Sequence, residues 1–145
     1  MKLTVGVCLV ILIICRQVSA QDRLSCELLA GFSDLWKQAG YGRDMNATEK
    51  SAWIFQDSTF HKWPGASERM RDFWRGKIPE AAIAQAHVHP IVADPRPSTV
   101  DVATAKRIRM SIYTISRDAI WMVTSDGHVF QQSGSDWLTP KFCLP

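Results

Sequence analysis

The chain has 145 residues, the length of one ordinary domain. It is 46% hydrophobic and 21% charged, a composition that excludes collagen, long coiled coils and extended disordered chains. The formal net charge is +3, and Lys2 and Arg16 supply two of the 17 basic residues. Residues 21–145 therefore carry 15 basic and 14 acidic groups. Such a balance gives no reason to expect binding to nucleic acid.

Residues 1–20 have the organisation of an export signal. A basic start is followed by a mainly apolar run from Leu3 to Cys15, and small residues suitable for cleavage end at Ala20. The run is shorter than the roughly 20 apolar residues that a membrane helix needs. We therefore predict a signal peptide over 1–20, a domain over 21–145, and a secreted or periplasmic location without membrane attachment after cleavage. An uncleaved anchor is the alternative.

The cysteines fit an oxidising compartment. Cys8 and Cys15 fall within the predicted signal, whereas Cys26 and Cys143 remain near the two ends of the domain. A lone pair of cysteines in an exported protein is more often a disulfide than two free thiols. We expect a structural bridge rather than a catalytic thiol.

The first half of the domain predicts two helices and a hairpin. Apolar residues recur at helical spacing over 24–39, and the Gly-Tyr-Gly at 40–42 ends that helix. Strand patterns over 49–56 and 60–63 flank a turn, and a short helix is predicted over 66–75.

The second half of the domain is also predicted to contain both strands and a helix. A buried strand over 81–89 leads into a proline-rich loop over 90–97 and a helix over 98–109. Strands are predicted over 111–115, 119–124 and 128–132, with a turn at Asp126-Gly127. Interleaved helices and strands predict an α/β (α+β) domain around a central sheet.

The sharpest chemical feature is His87-Val88-His89. Residues i and i+2 of a strand point to the same face, so the two imidazoles would lie side by side. Asp101, in the first turn of the next predicted helix, could add a carboxylate. Two histidines and one carboxylate leave a fourth tetrahedral position open, which is the arrangement of a catalytic zinc site.

A plainer interpretation of the same residues stays open. Ser98-Thr99-Val100-Asp101 is a form of the capping box, in which Ser98 caps a helix and Asp101 lies favourably in the first turn. From the spacing alone, a capped helix after a strand with two histidines is the more common outcome.

Taken together, these motifs resemble the core of the JAMM (MPN+, Mov34/JAB) metallopeptidases. The resemblance rests on His-x-His-Pro, an eight-residue stretch over 90–97 and then Ser-x-x-Asp, with Glu49 as the upstream glutamate. It extends over roughly residues 27–130 and is nearest to secreted bacterial JAB-like proteins. The loop after His89 is one residue longer than in the eukaryotic members and rich in proline, so the substrate edge is expected to differ.

The resemblance implies a fold and a set of roles. The fold would be a JAMM-like mixed β-sheet flanked by helices. Zinc would be held by His87, His89 and Asp101, and Glu49 would act as general base on the water bound to it. Ser98 would stabilise the oxyanion or orient the water. Glu27, Glu68 and Glu80 are the other candidates for the base.

The expected function is that of an exported zinc metallopeptidase or isopeptidase. Its substrate would be a peptide or protein, a cell-wall peptide among the options, and its oligomeric state is left open. The alternatives are a non-catalytic binding or structural module with the same fold, and a secreted effector hydrolase that acts on another cell.

Several other residues are assigned by context. His61 and His128 fall on predicted hairpins and are expected at the surface. The six tryptophans are expected mostly in the core, although Trp63 and Trp74 could instead line a substrate groove. Asn46 begins a glycosylation sequon that is expected to be unused.

Overall fold

Six strands form one mixed sheet in a computed structural model that describes residues 24–42, 49–64, 72 and 74–143. The order across the sheet is β2-β1-β3-β4-β5-β6. The strands are β1 (Ser51–Phe55), β2 (Phe60–Lys62), β3 (Ala82–Val88), β4 (Ser111–Ile115), β5 (Ile120–Val123) and β6 (Val129–Ser133). Only β3 and β4 pair in parallel; the other four pairings are antiparallel.

The helix α1 (Cys26–Gln38) covers one face of this sheet. Ser25 caps its first turn by accepting a hydrogen bond from the Leu28 amide, and Phe32 and Leu35 are almost fully buried. The helix packs in one apolar cluster with the alternate residues Ala84, Ala86 and Val88 of β3. This is the main core of the domain.

The helix α2 (Thr99–Ile108) covers the opposite face. It connects β3 to β4, which a parallel pair requires, since its strands cannot be joined by a tight turn. Ala105 is fully buried and packs with Ile112 and Val123 in a second, smaller cluster. The sheet therefore lies between two helices, and the face under α2 is the one on which His87 points.

The predicted mixed α/β class is confirmed, and the elements agree with their predicted ranges to within three residues at each end. The exception is the short helix predicted over 66–75. Most of that range lies outside the described residues, and residues 72, 74 and 75 are not helical. Residues 1–20 and the Asn46 sequon also lie outside the described part.

The expected disulfide is confirmed. Cys26, at the start of α1, is bonded to Cys143, in a single-turn 3-10 helix formed by Lys141–Cys143. The bridge closes a sequence separation of 117 residues. Among the described helices, none combines the length and the apolar character that crossing a bilayer would take.

Candidate metal centre

Strands β1 and β3 place their chemically active residues in successive rows on one face of the sheet. Ser51 pairs with His87 and Trp53 pairs with Gln85 in the antiparallel register. The Val88 amide donates to the Lys50 carbonyl, so the same register continues beyond the strands and sets Glu49 opposite His89. Because side chains two residues apart share a face, all these residues point to the side covered by α2.

His87, His89 and Asp101 come together at the end of β3. Their potential ligand atoms all lie within 4.8 Å of one another. The two histidine Nε2 atoms are 3.0 Å apart, and Asp101 Oδ1 lies 3.5 Å from Nε2 of His87. Asp101 Oδ2 is 3.8 Å from Nε2 of His89. Both imidazoles are buried.

The orientation of the His89 ring is fixed by the loop that follows it. Its Nδ1 atom is 2.7 Å from the carbonyl oxygen of Asp94. A carbonyl only accepts, so Nδ1 must carry the proton and, in the neutral ring, Nε2 keeps a free lone pair. Histidines that bind metals are commonly oriented through the second ring nitrogen in this way.

Asp101 is held by the start of its own helix. The Ser98 amide donates to Asp101 Oδ2 at 2.6 Å, and the Ser98 hydroxyl donates to the same oxygen at 2.7 Å. The Asp101 amide in turn donates to the Ser98 hydroxyl oxygen at 3.2 Å. The capping box is therefore present. It also fixes the rotamer that brings Oδ1 toward His87, so the two interpretations of this motif are compatible.

The protonation states suit metal ligands. Burial lowers the pKa of His87 to about 4, although the charge of Asp101 opposes the shift. Burial alone would raise the pKa of the Asp101 carboxyl, but His87 and the hydrogen bonds from Ser98 outweigh it and hold that pKa below its ordinary value. At neutral pH the group thus offers an uncharged imidazole and a carboxylate.

The three residues fit a zinc ion by distance and by donor type. Two nitrogens bound tetrahedrally at about 2.0–2.1 Å from zinc are about 3.3 Å apart. The two Nε2 atoms are 3.0 Å apart, and the two Asp101 oxygens lie 3.5 Å from His87 and 3.8 Å from His89; with one ligand atom taken from each residue, all separations are within 4.8 Å. Two imidazoles and one carboxylate are also a ligand set that zinc accepts in catalytic sites, with a fourth position left for water.

A cavity of about 830 Å³ opens over the three residues and contains the other predicted site residues. Glu49 and Ser98 both line it together with His87, His89 and Asp101. Glu49 is partly buried, in keeping with its place opposite His89. In this structure the Ser98 hydroxyl donates to Asp101, so stabilising an oxyanion would require it to rotate toward the cavity.

The same cavity extends beyond the predicted site to three tryptophans. Trp53, Trp63 and Trp74 line its far side, with ring centroids 5.2 to 5.8 Å apart. Trp63 and Trp74 were expected either in the core or in a groove, and the structure places both residues in a groove. His61 and His128 are exposed, as expected.

Sequence reasoning missed three residues of this region. The Asp94 carbonyl orients His89, but a backbone group leaves no mark in the sequence. Ser51 and Gln85 are buried and line the cavity. Strand alternation could have found them, since they lie two residues from Trp53 and His87 on the same face.

No protein-family model, curated protein or solved structure matches the chain. The resemblance to JAMM metallopeptidases therefore stays a prediction from the motif.

Proposed function

We propose that the protein is a zinc-dependent hydrolase that cleaves a peptide or amide bond. The observation that carries the proposal is the convergence of His87, His89 and Asp101 within 4.8 Å at an open cavity. The Asp94 carbonyl orients His89, and the Ser98 capping box orients Asp101. Both side chains therefore face the same point as His87. The JAMM-like motif supports the same reaction class.

The roles follow from position and charge. A bound zinc ion would lower the pKa of a coordinated water to about 7 and polarise the scissile carbonyl. Glu49, opposite His89 and lining the cavity, accepts a proton from the attacking water and passes it to the leaving nitrogen. Arg96 and Arg107 line the same cavity and offer positive charge to a substrate carboxylate.

The proposal also includes export of the protein from the cytoplasm. The signal-like pattern over 1–20 and the Cys26–Cys143 disulfide both fit a secreted or periplasmic protein. A peptide outside the cytoplasm, such as a cell-wall peptide, is then the class of substrate.

Two measurements on the purified domain test the proposal. Metal analysis after dialysis against zinc should give about one zinc per chain, and His87→Ala should lose it. His128→Ala, at an exposed position, is the control and should keep it. Glu49→Gln should keep the zinc but lose at least about a hundredfold in hydrolysis of internally quenched peptides, the size of a general-base contribution.

The outcomes separate the alternatives. A protein that binds no zinc, or binds it equally well in His87→Ala, contradicts the proposed centre. A protein that binds one zinc but cleaves neither peptides nor isopeptides is a non-catalytic module instead.

A further inference from the structure

The cleft between the metal centre and the three tryptophans has features that hydrolysis alone does not explain. We call Trp53, Trp63 and Trp74 the tryptophan wall. The Trp63 amide donates to the Ser51 carbonyl, and Ser51 pairs with His87. Strands lie about 4.8 Å apart, so the backbones of Trp63 and His87 are about 10 Å apart with only the small Ser51 between them.

The tryptophan wall offers an apolar ring surface to this cleft. The Trp74 indole N–H donates to the Lys77 carbonyl at 3.0 Å. The indole nitrogens of Trp53 and Trp63 are buried, and within the described residues neither has a hydrogen-bond partner. No indole N–H of the wall is therefore available to a ligand. An aromatic ring packs against such a surface in an offset or edge-to-face arrangement.

The floor of the cleft is polar and unpartnered. Ser51 is 3% exposed and Gln85 8% exposed, and both line the cavity. In the part of the chain that the structure describes, neither side chain makes a hydrogen bond. Both residues line the cavity, so their hydroxyl and amide groups take their hydrogen-bond partners from the solvent or from a bound molecule.

We propose that this cleft is a subsite for an aromatic side chain with a polar tip, which among the amino acids points to tyrosine. The ring stacks on the tryptophan wall, and its hydroxyl reaches Ser51 and Gln85 at the floor. Aromatic pairs have centroids 4.5–7 Å apart, so a ring above Ser51 lies within contact of Trp63. This subsite rests on the proposed function, which makes its occupant a residue beside the scissile amide.

Tryptophan indole signals test the subsite without requiring catalysis. The ¹⁵N-labelled protein is titrated with N-acetyl-tyrosinamide, N-acetyl-phenylalaninamide, N-acetyl-alaninamide and N-acetylglucosamine, first with a chelator and then with one equivalent of zinc. We expect shifts in the indole signals of Trp53, Trp63 and Trp74. Trp36 and Trp137 pack together in the core under α1 and should not move.

The affinities should follow the chemistry of the cleft. The phenylalanine amide should bind about tenfold more tightly than the alanine amide, and the tyrosine amide about threefold more tightly again. Gln85→Leu should abolish the difference between tyrosine and phenylalanine while ring binding remains. Trp63→Leu should weaken the binding of both aromatic amides.

Contrary results overturn the subsite. These are an absence of shifts at the tryptophan wall, equal binding of tyrosine and phenylalanine amides by the unaltered protein, and binding of the sugar as tight as that of the tyrosine amide. If the aromatic amides bind but no peptide is cleaved, the subsite stands and the hydrolase proposal falls. If peptides are cleaved without aromatic binding, the reverse holds.

Discussion

The clearest case of a single residue set by its surroundings is His87. It lies on the central strand β3 and is 4% exposed, under α2 and beside His89. Burial lowers its pKa to about 4 from an ordinary value of 6.5. The same burial keeps the His87 ring uncharged at neutral pH, and a histidine must be uncharged to bind a metal.

The depressed pKa makes stability depend on pH in a definite direction. Between pH 6.5 and 4 the unfolded chain takes up a proton on His87 that the folded chain does not, so stability falls as the pH falls. The shift predicts a loss of about 2 kcal/mol between pH 7.5 and 5 from this residue. Urea unfolding with a chelator present, at both pH values, measures the effect.

The control for this experiment is a histidine variant at the surface. His87→Gln should have a shallower pH dependence than the unaltered protein, whereas His128→Gln should not change it. His128 has a side chain that is 82% exposed. Equal pH dependence in all three proteins would contradict a neutral, buried His87.

At the scale of elements, the two helices have different roles, which depend on their N-terminal caps and on their packing faces. Both helices begin with a capping serine, Ser25 in α1 and Ser98 in α2. Only the second cap also holds a residue of the candidate metal centre, since Asp101 accepts hydrogen bonds from Ser98. The first helix contributes instead through a close approach to β2, where Gly31 lies under the Phe60 ring.

Removing the two caps should therefore have different consequences. Ser98→Ala and Ser25→Ala should each lower the free energy of unfolding by about 1 kcal/mol, the usual value of an N-cap. Only Ser98→Ala should also weaken zinc binding, by about tenfold, because Asp101 loses an orienting partner. Chemical unfolding and calorimetric zinc titration distinguish the two effects. Equal zinc affinity in both variants would show that the cap does not orient Asp101.

At Gly31 we predict that alanine destabilises the protein, which is the opposite of its usual effect in a helix. Glycine to alanine within a helix normally stabilises by up to about 1 kcal/mol. Here an added Cβ would overlap the ring of Phe60, which packs edge-on against Phe32. Gly31→Ala should therefore destabilise by about 1–3 kcal/mol, as overpacking does. A melting temperature equal to or above that of the unaltered protein would contradict this packing.

At the scale of the whole molecule, connectivity builds the site. The parallel pairing of β3 and β4 obliges the chain to cross the sheet through α2. That crossing sets the first turn of α2, with Ser98 and Asp101, above the end of β3. The open face at the carboxyl end of a strand is also where ligands commonly bind in such sheets.

The disulfide acts at the same scale. It joins the start of α1 to the last described turn and closes a loop of 117 residues in sequence separation. The chain-entropy treatment gives about 4–5 kcal/mol for such a closure. Replacing both Cys26 and Cys143 by serine should lower the free energy of unfolding by up to that amount. The unaltered protein under reducing conditions should behave in the same way, and a change below about 1 kcal/mol in both would contradict the prediction.

The sequence by itself determined the two helices and six strands of the described residues, the cysteine pair and the residues that meet at the candidate centre, but the helix predicted over 66–75 is not among the described elements. These follow from local rules: apolar spacing, proline and glycine positions, and the i, i+2 geometry of His87 and His89. The cleft depended on tertiary structure. The place of Ser51 beside His87, the Asp94 carbonyl behind His89 and the joining of Trp53 with Trp74 come from strand register and loop closure. Those contacts link residues far apart in the chain, and no local periodicity encodes them.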